Sequence, residues 1–177
     1  MTLRNLILPL LLTVALSQVS NGQTKADKIL RIKQTFQKIN SDKSLKKKTI
    51  DDPEIFLGHA TDGGGQLIGY FNKDTVCKIF ATVGLSYGTI TDEYYFSNGR
   101  LIFVYETEKA FPDNDSSDGL NYTKLKLSFE GRYYFDNEKL IDKIIKGKRR
   151  FENNDNAVST FLTDAKDYVT LVKTKGQ

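Results

Sequence analysis

The residues that could do chemistry in this chain are few, and their spacing rules out most familiar sites. His59 is the only histidine and Cys77 the only cysteine. One His is enough for a Ser-His-Asp arrangement, so His59 stands as the candidate for a hydrolase reading. However, no G-x-S-x-G elbow accompanies it, and a plain loop or strand role is the better reading. A single His and a single Cys cannot build a thiolate zinc site or a His-rich transition-metal site. Cys77 lies among Val76, Ile79 and Phe80, the setting of a buried, unreactive thiol. The loop Asp113 to Gly119 (DNDSSDG) offers hard oxygen ligands, with Asp113, Asp115 and Asp118 as the calcium candidates. Registered as an EF-hand from Asn114, it places Leu125 where the bidentate Glu should stand, so a polar loop is preferred. Thr61 to Gly65 (TDGGG) lacks the Lys-Ser/Thr pair of a phosphate loop and reads as a turn. No cofactor and no catalytic residue is assigned.

These residues must be positioned by something, and the strongest organising element is Glu93 to Tyr105 (EYYFSNGRLIFVY). Asn98-Gly99 suits a two-residue type I′ turn between aromatic and β-branched strands. Arg132 to Ile144 (RYYFDNEKLIDKI) repeats the design 39 residues later, and Tyr70-Phe71-Asn72 is a fainter third copy. Two clear copies suggest one hairpin design reused within an antiparallel sheet rather than a solenoid. Strict pairing across Asn98-Gly99 sets Tyr94 against Phe103 and Tyr95 against Ile102. That register sends Tyr94, Phe96, Leu101, Phe103 and Tyr105 to the core. The opposite face then carries Tyr95, Ile102 and Val104, with Tyr134 in the second copy, as the candidate ligand or partner surface.

Amphipathic helices flank the sheet. Ile29, Ile32, Phe36 and Ile39 define a helix over 25–40 with its N-cap at Thr24. Val158, Phe161, Leu162, Ala165, Tyr168, Val169 and Val172 define another over 156–173, capped by Asn154 or Asp155. Between them, residues 54–145 read as the sheet, with a polar lysine-rich linker at Ser41 to Lys48 and a short strand after Pro53. The expected fold is α+β: an antiparallel meander of about six or seven strands, with both helices packed on one face.

Residues 1–22 read as a secretory signal peptide. Arg4 precedes the apolar run Leu6 to Leu16, and Ser20 and Gly22 suit cleavage before Gln23. Nothing later approaches a transmembrane length. The remaining residues, 23–177, suit one domain in a periplasmic or extracellular setting. The net charge is +4, or +3 once Arg4 leaves with the leader. Its 25 basic and 22 acidic side chains are interspersed, which disfavours a nucleic-acid-binding role. The basic clusters Lys46 to Lys48 and Lys143 to Arg150 could touch an anionic surface, but a solvated strand and connection are the simpler reading.

The elements T-D-G-G-G at Thr61 to Gly65, E-YYF-x-NG-x-LIFV at Glu93 to Val104 and RYYF-x-N at Arg132 to Asn137 resemble a group of small exported bacterial proteins of uncharacterised function. Their pattern has T-E-G-G and G-E-x-G where this chain has Thr61 to Gly64 and Gly84 to Gly88. The acidic residue of the second element is thus replaced at Leu85-Ser86. The resemblance spans roughly residues 60 to 145 and implies a bacterial envelope or secreted location, with no activity attached. Three functional expectations follow. The first is non-catalytic binding of a protein or envelope component through the aromatic face. The second is carriage of a small apolar ligand between sheet and helices. The third, hydrolysis at His59, is the weakest.

Overall fold

The computed structural model describes residues 24–114, 118–151 and 157–177. It is an α+β fold. The helix α1 (Lys25–Ser41) is followed by β1 (Lys46–Ile50) and the short helix α2 (Pro53–Leu57). Then come β2 (Gly65–Asn72), β3 (Thr75–Leu85), β4 (Gly88–Ser97), β5 (Arg100–Ala110), β6 (Lys126–Asp136) and β7 (Lys139–Gly147), and finally α3 (Ala157–Thr174). The seven strands form one antiparallel sheet in sequence order, each pairing with the next. The expected leader at residues 1–22, Asp115 of the expected calcium loop, and the expected caps Asn154 and Asp155 lie outside the described residues.

Two local readings change. The segment expected as a linker supplies β1, because Lys46 to Ile50 pairs with Phe71 to Leu67. The segment expected as a strand after Pro53 is instead α2. Asp52 caps it by accepting the Glu54 N–H, proline takes its first turn, and Gly58 closes it at φ 79°. Those are helix start and stop signals compressed into a single turn.

The three Tyr-Phe hairpins share one irregularity. Pairing slips by one residue between Tyr70 and Phe71, between Tyr95 and Phe96, and between Tyr134 and Phe135. In each case a single residue on the return strand is left over: Cys77, Ile102 and Ile141. Such a bulge reverses the facing of everything beyond it. Tyr95 therefore pairs with Phe103, and Tyr94 with Val104. The faint third copy is thus geometrically a full one.

Both faces of the sheet are consequently apolar, and each takes its own helix. On one face Phe161, Ala165, Tyr168 and Val172 of α3, with Phe56 of α2, pack against Leu67, Ile79, Tyr94, Val104, Tyr133 and Phe135. On the other, Ile29, Ile32, Phe36 and Ile39 of α1 pack against Tyr95, Phe103 and Tyr134. The expectation that both helices share one face is corrected: the bulge moves Phe103 to the α1 side and Val104 to the α3 side. Ion pairs from Lys25 to Asp142 (2.8 Å) and from Lys28 to Asp136 (2.6 Å) anchor the start of α1 on the last hairpin. Its end reaches β4, where Asn40 donates to the Tyr95 hydroxyl at 3.0 Å.

The two glycine-rich turns meet at the far end of the sheet. Gly63 donates to the Gly84 carbonyl (3.0 Å), and Gly84 to the Gly64 carbonyl (2.8 Å). A Cβ on Gly84 would stand 2.5 Å from the Gly63 carbonyl oxygen, and this backbone cannot swing aside as a side chain could. Gly84→Ala should therefore destabilise the fold by about 1–3 kcal/mol, read as a lower urea midpoint with an unchanged m-value. An unaltered midpoint would refute the close approach.

Candidate functional site

The α1 face is only partly covered. The cross-strand row Tyr95, Phe103 and Tyr134 lies under the helix. The next row away from the hairpin turns runs Phe80, Glu93, Tyr105 and Arg132, and all four are half-exposed. Between this row and α1 a groove of about 340 Å³ opens, lined by Ile32, Lys33, Phe36, Gln37, Phe103, Tyr105, Arg132 and Tyr134. Its floor is aromatic, and its rim carries two cations.

Charged groups beside the groove are held in two networks. Arg132 pairs with Glu130 and lies 5.1 Å from the centroid of the Tyr105 ring, while the Tyr105 hydroxyl donates to Glu130 at 2.8 Å. Partial desolvation raises the Glu130 carboxyl, but the hydrogen bonds from Tyr105 and Arg132 outweigh it and hold the group below its usual range. In the second network, Lys78 bridges to Glu93 at 2.8 Å and sits over the Tyr95 ring, whose hydroxyl donates to Glu93. Burial, then the Glu93 carboxylate, push the Tyr95 hydroxyl far up, so it remains a donor. Lys33, by contrast, makes no ion pair among the described residues.

A second polar cluster lies on the α3 face. Asp92 and Glu106 are directly opposed on β4 and β5. Glu106 is satisfied: Arg149 reaches both its oxygens (3.0 and 2.5 Å) and Tyr133 donates at 3.1 Å. The Arg149 guanidinium is stacked 4.0 Å from the Phe129 ring centroid. Glu108, 2% exposed, accepts from Ser128 at 3.2 Å and from the Arg150 N–H at 2.8 Å. Burial, then Glu106, push the Tyr133 hydroxyl up to about 12. Asp92 is the odd member. Its Oδ1 is buried with no hydrogen-bond partner among the described residues, although part of the residue stays accessible. Burial, with Glu106 and Asp164 adding repulsion, raises its carboxyl well above 3.8. The fold thus favours the protonated form of this carboxyl relative to the unfolded chain.

The sequence-derived candidates fall as follows. Tyr95 and Val104 are fully buried and lie on opposite faces, Tyr134 is buried, and Ile102 is the half-buried bulge residue. They do not form one exposed patch, because the bulge separates Val104 from the others. Tyr95, Ile102 and Tyr134 do come together, but as the core beneath α1. His59 is exposed after α2, with Nδ1 2.9 Å from the Ala60 carbonyl oxygen and no side-chain partner among the described residues. The Asp113 carboxylate pairs with Arg150 at 2.7 Å, and Asp118 is exposed. Among the described residues, no three of His, Cys, Asp or Glu are grouped to hold a metal ion. Cys77 is half-buried, and its thiol approaches the Thr75 carbonyl at 3.6 Å.

Sequence reasoning missed the carboxylate cluster. Its signal was present: Asp92, Glu106 and Glu108 interrupt otherwise apolar strands. Yet only the register shows which of them meet. No helix among the described residues is long and apolar enough to cross a membrane. Comparison of the chain with protein-family models, curated proteins and solved structures finds no match.

The Asp92 proton gives a signed expectation. Below about pH 3.8 the carboxyl is protonated in folded and unfolded chains alike. As pH rises past that value the unfolded chain releases the proton while the fold retains it, so stability falls with rising pH. Asp92→Asn should raise stability near neutral pH and remove this part of the slope. Urea unfolding at about pH 4 and about pH 7 tests it, and an equal loss at both values would contradict the assignment.

Proposed function

We propose that this protein is a non-catalytic binding module for a small amphipathic ligand, seated in the groove between α1, β5 and β6. The observation that supports it is the groove itself: about 340 Å³, with an aromatic and aliphatic floor and Lys33 and Arg132 at its mouth. A volume of that size suits a small molecule's apolar body. The rim cations suit an anionic head group, and Lys33 is free to pair with one. The ligand would need no helix to lift, whereas a partner binding through Tyr95 and Val104 would need both α1 and α3 to leave the sheet, since neither residue is exposed. This reading gives His59 no role. The leader read in residues 1–22 supports an exported setting, where such a module would act as a carrier or sensor of amphipathic molecules.

The test uses 1-anilinonaphthalene-8-sulfonate as an amphipathic aromatic anion, with dodecanoate as competitor. One probe per protein should gain fluorescence and be displaced by dodecanoate. Gln37→Trp, which fills the groove from an exposed helix position, should abolish the signal without lowering the unfolding midpoint. Lys33→Glu should weaken binding by about tenfold through reversal of a rim charge. Binding indifferent to both variants would end the proposal.

A further inference from the structure

Where β1, the β2–β3 turn and the end of α3 meet, lysines gather. Lys46, Lys47 and Lys48 of β1, Lys73 of the turn and Lys173 of α3 surround a hollow of about 560 Å³ that also contains Phe71 and Asp74. Lys47 alternates onto the Tyr70 face, so four ammonium groups against one carboxylate leave a local charge of +3 around the hollow. None of the five lysines makes an ion pair among the described residues, whereas Lys25, Lys28, Lys78, Lys146 and Lys166 each do.

Their stems are positioned from within the fold. The Lys47 amine lies 5.2 Å from the Tyr70 ring centroid and the Lys48 amine 5.9 Å from that of Phe71. These cation–π contacts position the two amines without neutralising their charge. Gln177 exchanges both backbone hydrogen bonds with Thr49 (2.9 and 3.2 Å), which ties the chain beyond α3 to β1 and keeps Lys173 on the same hollow. Lysines on an edge strand do deter sheet-to-sheet association. That role does not account for Lys73 and Lys173, which lie on a turn and a helix.

We infer that this hollow binds a soluble multivalent oxyanion bearing phosphate or sulfate groups. Ammonium groups act as rotatable point charges, suited to dense oxyanion charge rather than to the planar fork that a guanidinium offers a carboxylate. The one large apolar residue in the lining, Phe71, is buried, so the hollow has no anchor for insertion into a lipid surface. Its concavity suits a compact anion. The site is separate from the α1 groove and stands whether or not that groove takes an amphipathic ligand.

Isothermal titration of the full chain with sodium tripolyphosphate, and in parallel with a heparin-derived sulfated disaccharide, tests the inference and separates the two sources. One-site binding of either, weakening as salt rises, is expected. Lys46→Gln combined with Lys173→Gln, both exposed positions, should weaken it by about tenfold. Lys73→Gln alone should weaken it to a smaller degree, while Lys143→Gln with Lys146→Gln on the opposite sheet edge should leave it unchanged. The inference is overturned if neither anion binds, if the β7 variant weakens binding as much as the β1–α3 variant, or if only phosphatidylglycerol vesicles bind.

Discussion

The structure depends on a one-residue slip in strand register, made three times. Each Tyr-Phe hairpin returns through a two-residue turn and then leaves one residue unpaired, at Cys77, Ile102 or Ile141. The left-handed turn residues Lys73, Asn98 and Asn137, at φ 54°, 51° and 49°, start the three returns alike. Because side chains alternate strictly along a strand, one extra residue transfers the rest of that strand to the other face. Without the slip Tyr94, Phe96, Phe103 and Tyr105 of the central hairpin would share one side, with Tyr95 on the other. With it, Tyr94 and Val104 face α3 while Tyr95 and Phe103 face α1. A sheet apolar on both sides requires a cover on both sides, and the chain supplies one helix to each.

The two covers differ in completeness, and that difference creates the site. The α3 face is closed by α3 and the single turn of α2, with edge-to-face rings such as Tyr94 against Tyr168 at 5.7 Å. Its polar load is buried, so it must be satisfied internally. Arg149 and Tyr133 satisfy Glu106, and the burial of Asp92 shifts its carboxyl toward the protonated form. The α1 helix crosses the sheet obliquely, from the β6–β7 hairpin to β4, and leaves Tyr105 and Arg132 half-exposed. That uncovered strip, not the buried Tyr95 and Tyr134, is the part of the aromatic face that a ligand can reach.

Much of the architecture was legible from pattern alone. The capped, periodic segment after Thr24 is α1, with both halves of its capping box formed by Thr24 and Asp27. The turn chemistry of Asn98-Gly99 and the repeat at Arg132 identified two hairpins, and alternation identified the strands between Gln66 and Ile145. Local signals failed where tertiary pairing outweighed them. Three successive lysines argue against a strand, yet β1 forms because β2 offers an edge and Lys47 and Lys48 can rest on Tyr70 and Phe71. Asp52-Pro53-Glu54 was a helix start too short to show periodicity.

By itself, then, the sequence determined most of the element types, apart from β1 and α2, and the exclusion of thiolate and His-rich metal sites, since composition, periodicity and turn residues are local properties. Only the tertiary structure decided which side of the sheet each aromatic faces, where the helices lie and which charges meet. Asp92 and Glu106 are fourteen residues apart in the chain, and Lys46 and Lys173 more than a hundred. Their proximity follows from strand register and helix docking. A single unpaired residue at Ile102 reverses the facing of Phe103 and Val104, and no alternation pattern in the sequence reveals that it is skipped.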